Sequence, residues 1–196
     1  WNAKNSKHDK DYALNKVFVG FAPVFDEKQH WEYPNEGFID SLKYDLVERS
    51  FIDEKDAIQT LPYSREEVKE IFKFFSNDTS NSVILLSADA TKKNFIDDIS
   101  DYKYVHIATH GFSNDKYPEL SGLVFYPESD TLNSSDPLID KKIEYYNRNV
   151  LFSGEMFNLD INADLMVLSA CETGIGKLAK GEGILSMTRG LLYSGA

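Results

Sequence analysis

Short runs of apolar residues alternate with helix-like segments along this chain, and that alternation constrains the possible folds more than any other feature. Runs such as KVFVGFA, SVILL and KYVHIAT lack the strict polar alternation of a half-exposed strand. Strands of this kind are covered on both faces, which is typical of a parallel sheet with helices on either side. The predicted strands are Lys16–Ala22, Ser82–Leu86, Lys103–Thr109, Leu120–Phe125 and Asp164–Ser169. The sequence therefore predicts an α/β fold with a mostly parallel sheet.

Helix signals occupy the segments between these strands. Ser64 followed three residues later by Glu67 is a capping-box pattern, and apolar residues then recur on one helical face. Those apolar residues are Val68, Ile71, Phe72 and Phe75. Further helices are predicted around Phe38–Glu48, from Thr91 to Ile99 with Asp89 or Thr91 as the cap, at Ser153–Asn158, and from Glu182 to Tyr193 with Gly195 ending the helix. The polar residues 127–149 are predicted to form a surface excursion.

Composition excludes several classes of partner and location. The 196 residues carry a formal net charge of -11, so nucleic acid and anionic membranes are not expected partners. No apolar run reaches the length of about 18 residues that a membrane span needs. Cys171 is the single cysteine, which favours a reducing compartment such as the cytoplasm. Because the chain lacks an initiator methionine and a secretory apolar region, we expect it to be a piece of a longer protein.

Cys171 lies just past the predicted strand in DLMVLSACETGIG, two residues after Ser169, and two interpretations of it stay open. It is a small packed residue, or it is a nucleophile whose proton a nearby imidazole removes. His110 ends another predicted strand 61 positions earlier, and the carboxyl ends of neighbouring parallel strands meet at one sheet edge. Backbone N–H groups of Gly111 and Cys171 could then form an oxyanion hole. His106 lies within its strand and is expected to be a core histidine.

The segments VHIATHGFSN, ADLMVLSACETGIG and GEGILSMTRGLLYSGA together resemble the CHAT domain, the bacterial caspase-like domain related to caspases and separases. LPYSREEVKEI and ILLSADATKKNF resemble the units that precede the histidine motif in that family. The resemblance covers residues 60–196, and residues 1–59 are expected to be the N-terminal part of the same domain.

The resemblance implies a caspase-like three-layer α/β/α sandwich and a cysteine endopeptidase that needs no cofactor or metal. Cys171 would be the nucleophile, His110 the general base, and Gly111 and Cys171 the donors of oxyanion N–H groups. Caspases carry a glutamine two residues before the nucleophile, where this chain has Ser169, and Glu172 follows the cysteine. Ser169 and Glu172 are therefore expected to bind a small, polar or basic P1 residue rather than aspartate.

The chain departs from the family pattern at its end. In this family the helix ending near LLYSGA is followed by another core strand and more helices, whereas this chain stops at Ala196. We therefore expect C-terminal elements to be missing, the isolated chain to be nearly inactive, and a regulatory module or partner protein to control the whole protein. Two alternatives stay open, a non-catalytic interaction or scaffold domain with the same fold and an unrelated doubly wound domain that binds a small ligand. The second lacks the glycine-rich phosphate loop that many such domains carry.

Overall fold

The structure is a computed structural model that describes residues 16–25, 61–78, 80–114, 117–128, 148–172 and 182–196, with residues 76–78, 171 and 172 described by their backbone alone. The strands in these ranges are β1 (Lys16–Ala22), β2 (Ser82–Leu86), β3 (Tyr102–Phe112), β4 (Gly122–Val124), β5 (Val150–Phe152) and β6 (Leu165–Glu172). The helices are α1 (Ser64–Phe72), α2 (Lys92–Asp98), α3 (Ser153–Met156) and α4 (Glu182–Ser194). The helix predicted around residues 38–48 and most of the excursion at residues 127–149 lie outside the described residues.

The six strands form one mixed sheet. Its order is β2-β1-β3-β4-β5, and β6 pairs with β3. The pairs β1–β2, β1–β3 and β3–β6 are parallel, as the apolar runs predicted, whereas β3–β4 and β4–β5 are antiparallel. The prediction of an α/β fold is confirmed. Antiparallel pairing at β4 and β5 was not predicted, because strands of three residues are too short to show a period in sequence.

One face of the sheet carries the larger hydrophobic core. Val105 and Ile107 of β3 belong to a buried cluster that also contains residues of α2, α3 and α4. Three aromatic rings meet within it, and they come from β1 (Phe21), α2 (Phe95) and the residue after β4 (Phe125). The ring centroids of Phe95 lie 5.3 Å from Phe21 and 5.1 Å from Phe125. Apolar contact with the sheet therefore fixes these helices on this face.

Helix α1 packs on the opposite face. Its buried Val68 joins a cluster with Ala22 and Ala108. A Cβ placed on Gly20 of β1 would lie 2.5 Å from Val68 Cγ1, so only glycine permits this close approach of helix and sheet. Phe18 extends the contact by stacking on Phe75, with ring centroids 4.5 Å apart.

The helix ends show which capping predictions were correct. Thr91 caps α2, because its Oγ1 accepts a hydrogen bond from Asn94 N at 3.1 Å. The capping box at α1 was wrong. Tyr63 is the N-cap with a left-handed backbone (φ 69°), and Ser64 Oγ instead donates to Leu61 O. Gly195, with φ 112°, follows the end of α4 as predicted.

Candidate active site

The two predicted site strands are parallel neighbours. β3 and β6 pair over eight positions, and the register sets His110 opposite Cys171 and Gly111 opposite Glu172. Both strands are longer than predicted, since β3 continues to Phe112 and β6 to Glu172. The expectation that the histidine and cysteine strands lie side by side is therefore confirmed.

His110 is more deeply buried than a residue at a strand tip. Its side chain is 1% exposed, and its ring centroid lies 5.5 Å from that of Phe25. The prediction that the strand stops at His110 was wrong, because β4 pairs with Gly111 and Phe112 and extends the sheet past the histidine. His110 therefore combines a position beside the cysteine with the packing of a core residue.

Gly111 is paired on both edges, to Glu172 of β6 and to Leu123 of β4. A Cβ at this position would lie 3.1 Å from the Cβ of Ala170, so close packing favours glycine here. Its expected role in an oxyanion hole stays a prediction.

Ser169 lies two residues before the cysteine on β6, in register with Ala108, and is partly exposed. Glu172 is the last residue of β6. The two candidate substrate-binding residues thus flank Cys171 along one strand, and their role in binding also stays a prediction.

His106 is a core histidine, as predicted. It is 5% exposed, and its Nε2 lies 2.8 Å from Oε1 of Glu67 on α1. Sequence reasoning missed this partner because it assigned Glu67 to a capping box. The hydrogen bond joins α1 to the centre of β3 across the face on which Val68 packs.

Replacing His106 by alanine is expected to destabilise the fold more than it impairs reactivity at Cys171. The change removes a buried ring and leaves the Glu67 carboxylate without this donor, at a cost of about 1–3 kcal/mol. Urea denaturation measures this loss of unfolding free energy. The control is Glu67→Gln, which retains an acceptor oxygen and should lose less stability. Unchanged stability of His106→Ala, with Cys171 labelling abolished, would contradict the structural role.

Two buried polar residues, Asn114 and Ser121, lie between the histidine strand and β4, and the sequence did not reveal their contact. Asn114 N donates to Ser121 Oγ at 2.9 Å, and Asn114 Oδ1 accepts from Tyr117 N at 3.0 Å. These bonds shape the loop between β3 and β4. Serine and asparagine are common in any loop, so their spacing alone gave no signal of this contact.

Within the described residues, no helix combines the length and apolar character needed to cross a membrane.

The mixed sheet and the paired histidine and cysteine strands define an α/β domain with a candidate thiol site on two adjacent parallel strands. The sequence model of the CHAT domain family matches residues 9–196, and the chain therefore belongs to the CHAT domain family. No curated protein matches the chain. The family match begins upstream of β1, which pairs with both β2 and β3.

Proposed function

We propose that this CHAT domain is a caspase-like cysteine endopeptidase in which Cys171 is the nucleophile and His110 is the general base. The observation that carries the proposal is the register of β3 and β6, which sets the two residues opposite each other. Neighbouring strands lie about 5 Å apart, a separation that an imidazole and a thiol can bridge to exchange a proton. Helices packed on both faces of the sheet support a caspase-like layered arrangement.

The proposed reaction follows from the chemistry of a thiol beside an imidazole. His110 removes the proton from the Cys171 thiol, and the thiolate attacks the carbonyl carbon of a peptide bond. Backbone N–H groups of Gly111 and Cys171 stabilise the oxyanion. The tetrahedral intermediate expels the amine, which takes its proton from His110, and leaves a thioester. Water, deprotonated by His110, hydrolyses the thioester and restores the thiol.

The proposed substrate is a protein with a small, polar or basic residue at P1. Ser169 and Glu172 flank the nucleophile on β6, and a carboxylate there complements a cationic side chain. Ser169 occupies the position two before the cysteine, where caspases carry glutamine, so aspartate is not the proposed P1 residue.

The single cysteine and the net charge of -11 support action in a bacterial cytoplasm on a protein rather than on nucleic acid or a membrane. An attached module or a partner protein is the proposed regulator, and residues 1–59 are proposed to complete the same domain.

A peptidyl electrophile tests the proposed function directly. Peptidyl acyloxymethyl ketones with arginine, serine or aspartate at P1 are incubated with the longer natural protein, and Cys171 adducts are quantified by mass spectrometry. We expect the arginine or serine probe to label faster than the aspartate probe, and His110→Ala to remove that labelling. Labelling that is equally slow for all three probes and independent of His110 would contradict the proposed peptidase function.

The burial of His110 favours one alternative, a CHAT domain that serves as a non-catalytic interaction module. In such a module the histidine and cysteine pack the sheet, and substitution of His110 changes stability without changing thiol reactivity. The same probe experiment separates the two functions, because iodoacetamide reacts with any accessible thiol, whereas discrimination between P1 residues needs a substrate cleft.

A further inference from the structure

The end of β3 is held by close contacts that the proposed mechanism does not use. The loop after Phe112 is closed by the hydrogen bond from Asn114 N to Ser121 Oγ. Ser121 is fully buried and immediately precedes β4, whose Gly122 pairs with Phe112. The loop is therefore tied at both of its ends to the last residues of the histidine strand.

Helix α4 begins directly on this loop. Gly183, its second residue, is buried, and a Cβ placed there would lie 2.7 Å from Ser113 Cβ and 2.8 Å from Asn114 N. The same Cβ would also overlap Ser121 Oγ. Because one of these neighbours is backbone, the contact cannot be relieved by a side-chain rotation alone. Glycine is thus required for the helix to rest on the loop.

This contact joins α4, which follows β6 in the chain, to the residues that follow β3. β3 runs from His110 into the loop, and the chain after β6 returns as α4. The contact of Gly183 with Ser113, Asn114 and Ser121 therefore fixes the start of α4 against the residues that follow β3.

We propose that Gly183 and Ser121 are positioning residues that hold the end of β3, and with it the His110 imidazole, in place for activation of the Cys171 thiol. The inference rests on the proposed function, since it gives the contact a role in thiol activation. Neither residue reacts with substrate. Their effect is mechanical, and it is large because a misplacement of about 1 Å reduces the rate of a positioned reaction on the order of a hundredfold.

Gly190 provides a matched control on the same helix. A Cβ placed there would lie 2.9 Å from Met156 Cβ and 3.2 Å from Ser153 O. The packing is less tight than at Gly183, and the contact is with α3 rather than with Ser113, Asn114 or Ser121. A Gly190→Ala variant therefore introduces a milder overlap on the same helix that does not touch Ser113, Asn114 or Ser121 directly.

The test is the pH profile of Cys171 alkylation by iodoacetamide in the full chain, with wild type compared with Gly183→Ala, Gly190→Ala and His110→Ala. The single cysteine makes the modified site unambiguous. Urea denaturation gives the folded fraction, and rates are compared per folded molecule. We expect Gly183→Ala to slow alkylation at pH 7 about tenfold and to shift the profile toward that of His110→Ala. Gly190→Ala should lose some stability as well and keep the wild-type profile.

Ser121→Ala is the second variant, and it tests the proposed positioning role if Gly183→Ala fails to fold. It removes the acceptor of the Asn114 N–H, and we expect alkylation at pH 7 to slow about fivefold. If the pH profile of alkylation in His110→Ala is identical to that of wild type, His110 does not activate Cys171, and the proposed catalytic pair is wrong. The positioning role would be overturned if the His110→Ala profile shifts while the profiles of Ser121→Ala and of any folded Gly183→Ala match wild type. That result would not contradict the proposed peptidase function.

Discussion

Replacing Cys171 by alanine will abolish peptide cleavage, and replacing His110 will reduce it by at least about a hundredfold. The cysteine change removes the atom that attacks the carbonyl. The histidine change removes the group that takes the thiol proton and later protonates the leaving amine, so both acylation and amine release slow. Cleavage of a peptide library by the longer natural protein, quantified by mass spectrometry, measures the loss for each variant.

The burial of His110 changes the control that this experiment needs. A strand-tip histidine would cost on the order of 1 kcal/mol to truncate, but a side chain that is 1% exposed leaves a cavity and costs about 2 kcal/mol or more. His110→Gln, which retains more of the side-chain volume, is therefore compared with His110→Ala. Folded variants of either kind that still cleave at the wild-type rate would remove His110 from the mechanism.

Replacing Phe95 by alanine will produce the largest loss of stability among the changes considered, about 3–5 kcal/mol. Phe95 is fully buried on α2, and its ring contacts Phe21 of β1 and Phe125 after β4. Truncation removes both aromatic contacts and leaves a cavity between helix and sheet. Urea denaturation followed by circular dichroism measures the change in unfolding free energy.

The adjacent Ile96 supplies the control, because its side chain is 41% exposed on the same helix. Ile96→Ala should change the unfolding free energy by less than about 1 kcal/mol, since surface substitutions remove little packed area. Equal losses for the two variants would show that α2 does not depend on the aromatic cluster for its place on the sheet.

Local sequence determined the elements that carry long or distinctive patterns. The apolar runs gave β1 and β2 with the observed ends, and Thr91 before α2 gave the observed cap. Helix α4 begins at the predicted Glu182 and ends one residue later than predicted, at Ser194. The motifs around His110 and Cys171 also gave the family, which the match over residues 9–196 confirms. These features depend on hydrogen bonds and periodicities within a few residues, so neighbouring residues alone specify them.

Tertiary structure decided what depends on residues far apart in sequence. Glu67 looked like a capping residue, but Tyr63 starts the helix and the Glu67 carboxylate binds His106, 39 residues away. His110 looked like the end of a strand, but pairing with β4 and β6 carries β3 beyond it. The need for glycine at position 183 comes from Ser113, Asn114 and Ser121. Each outcome is set by a partner that the chain meets only after folding, and no local pattern encodes which partner that will be.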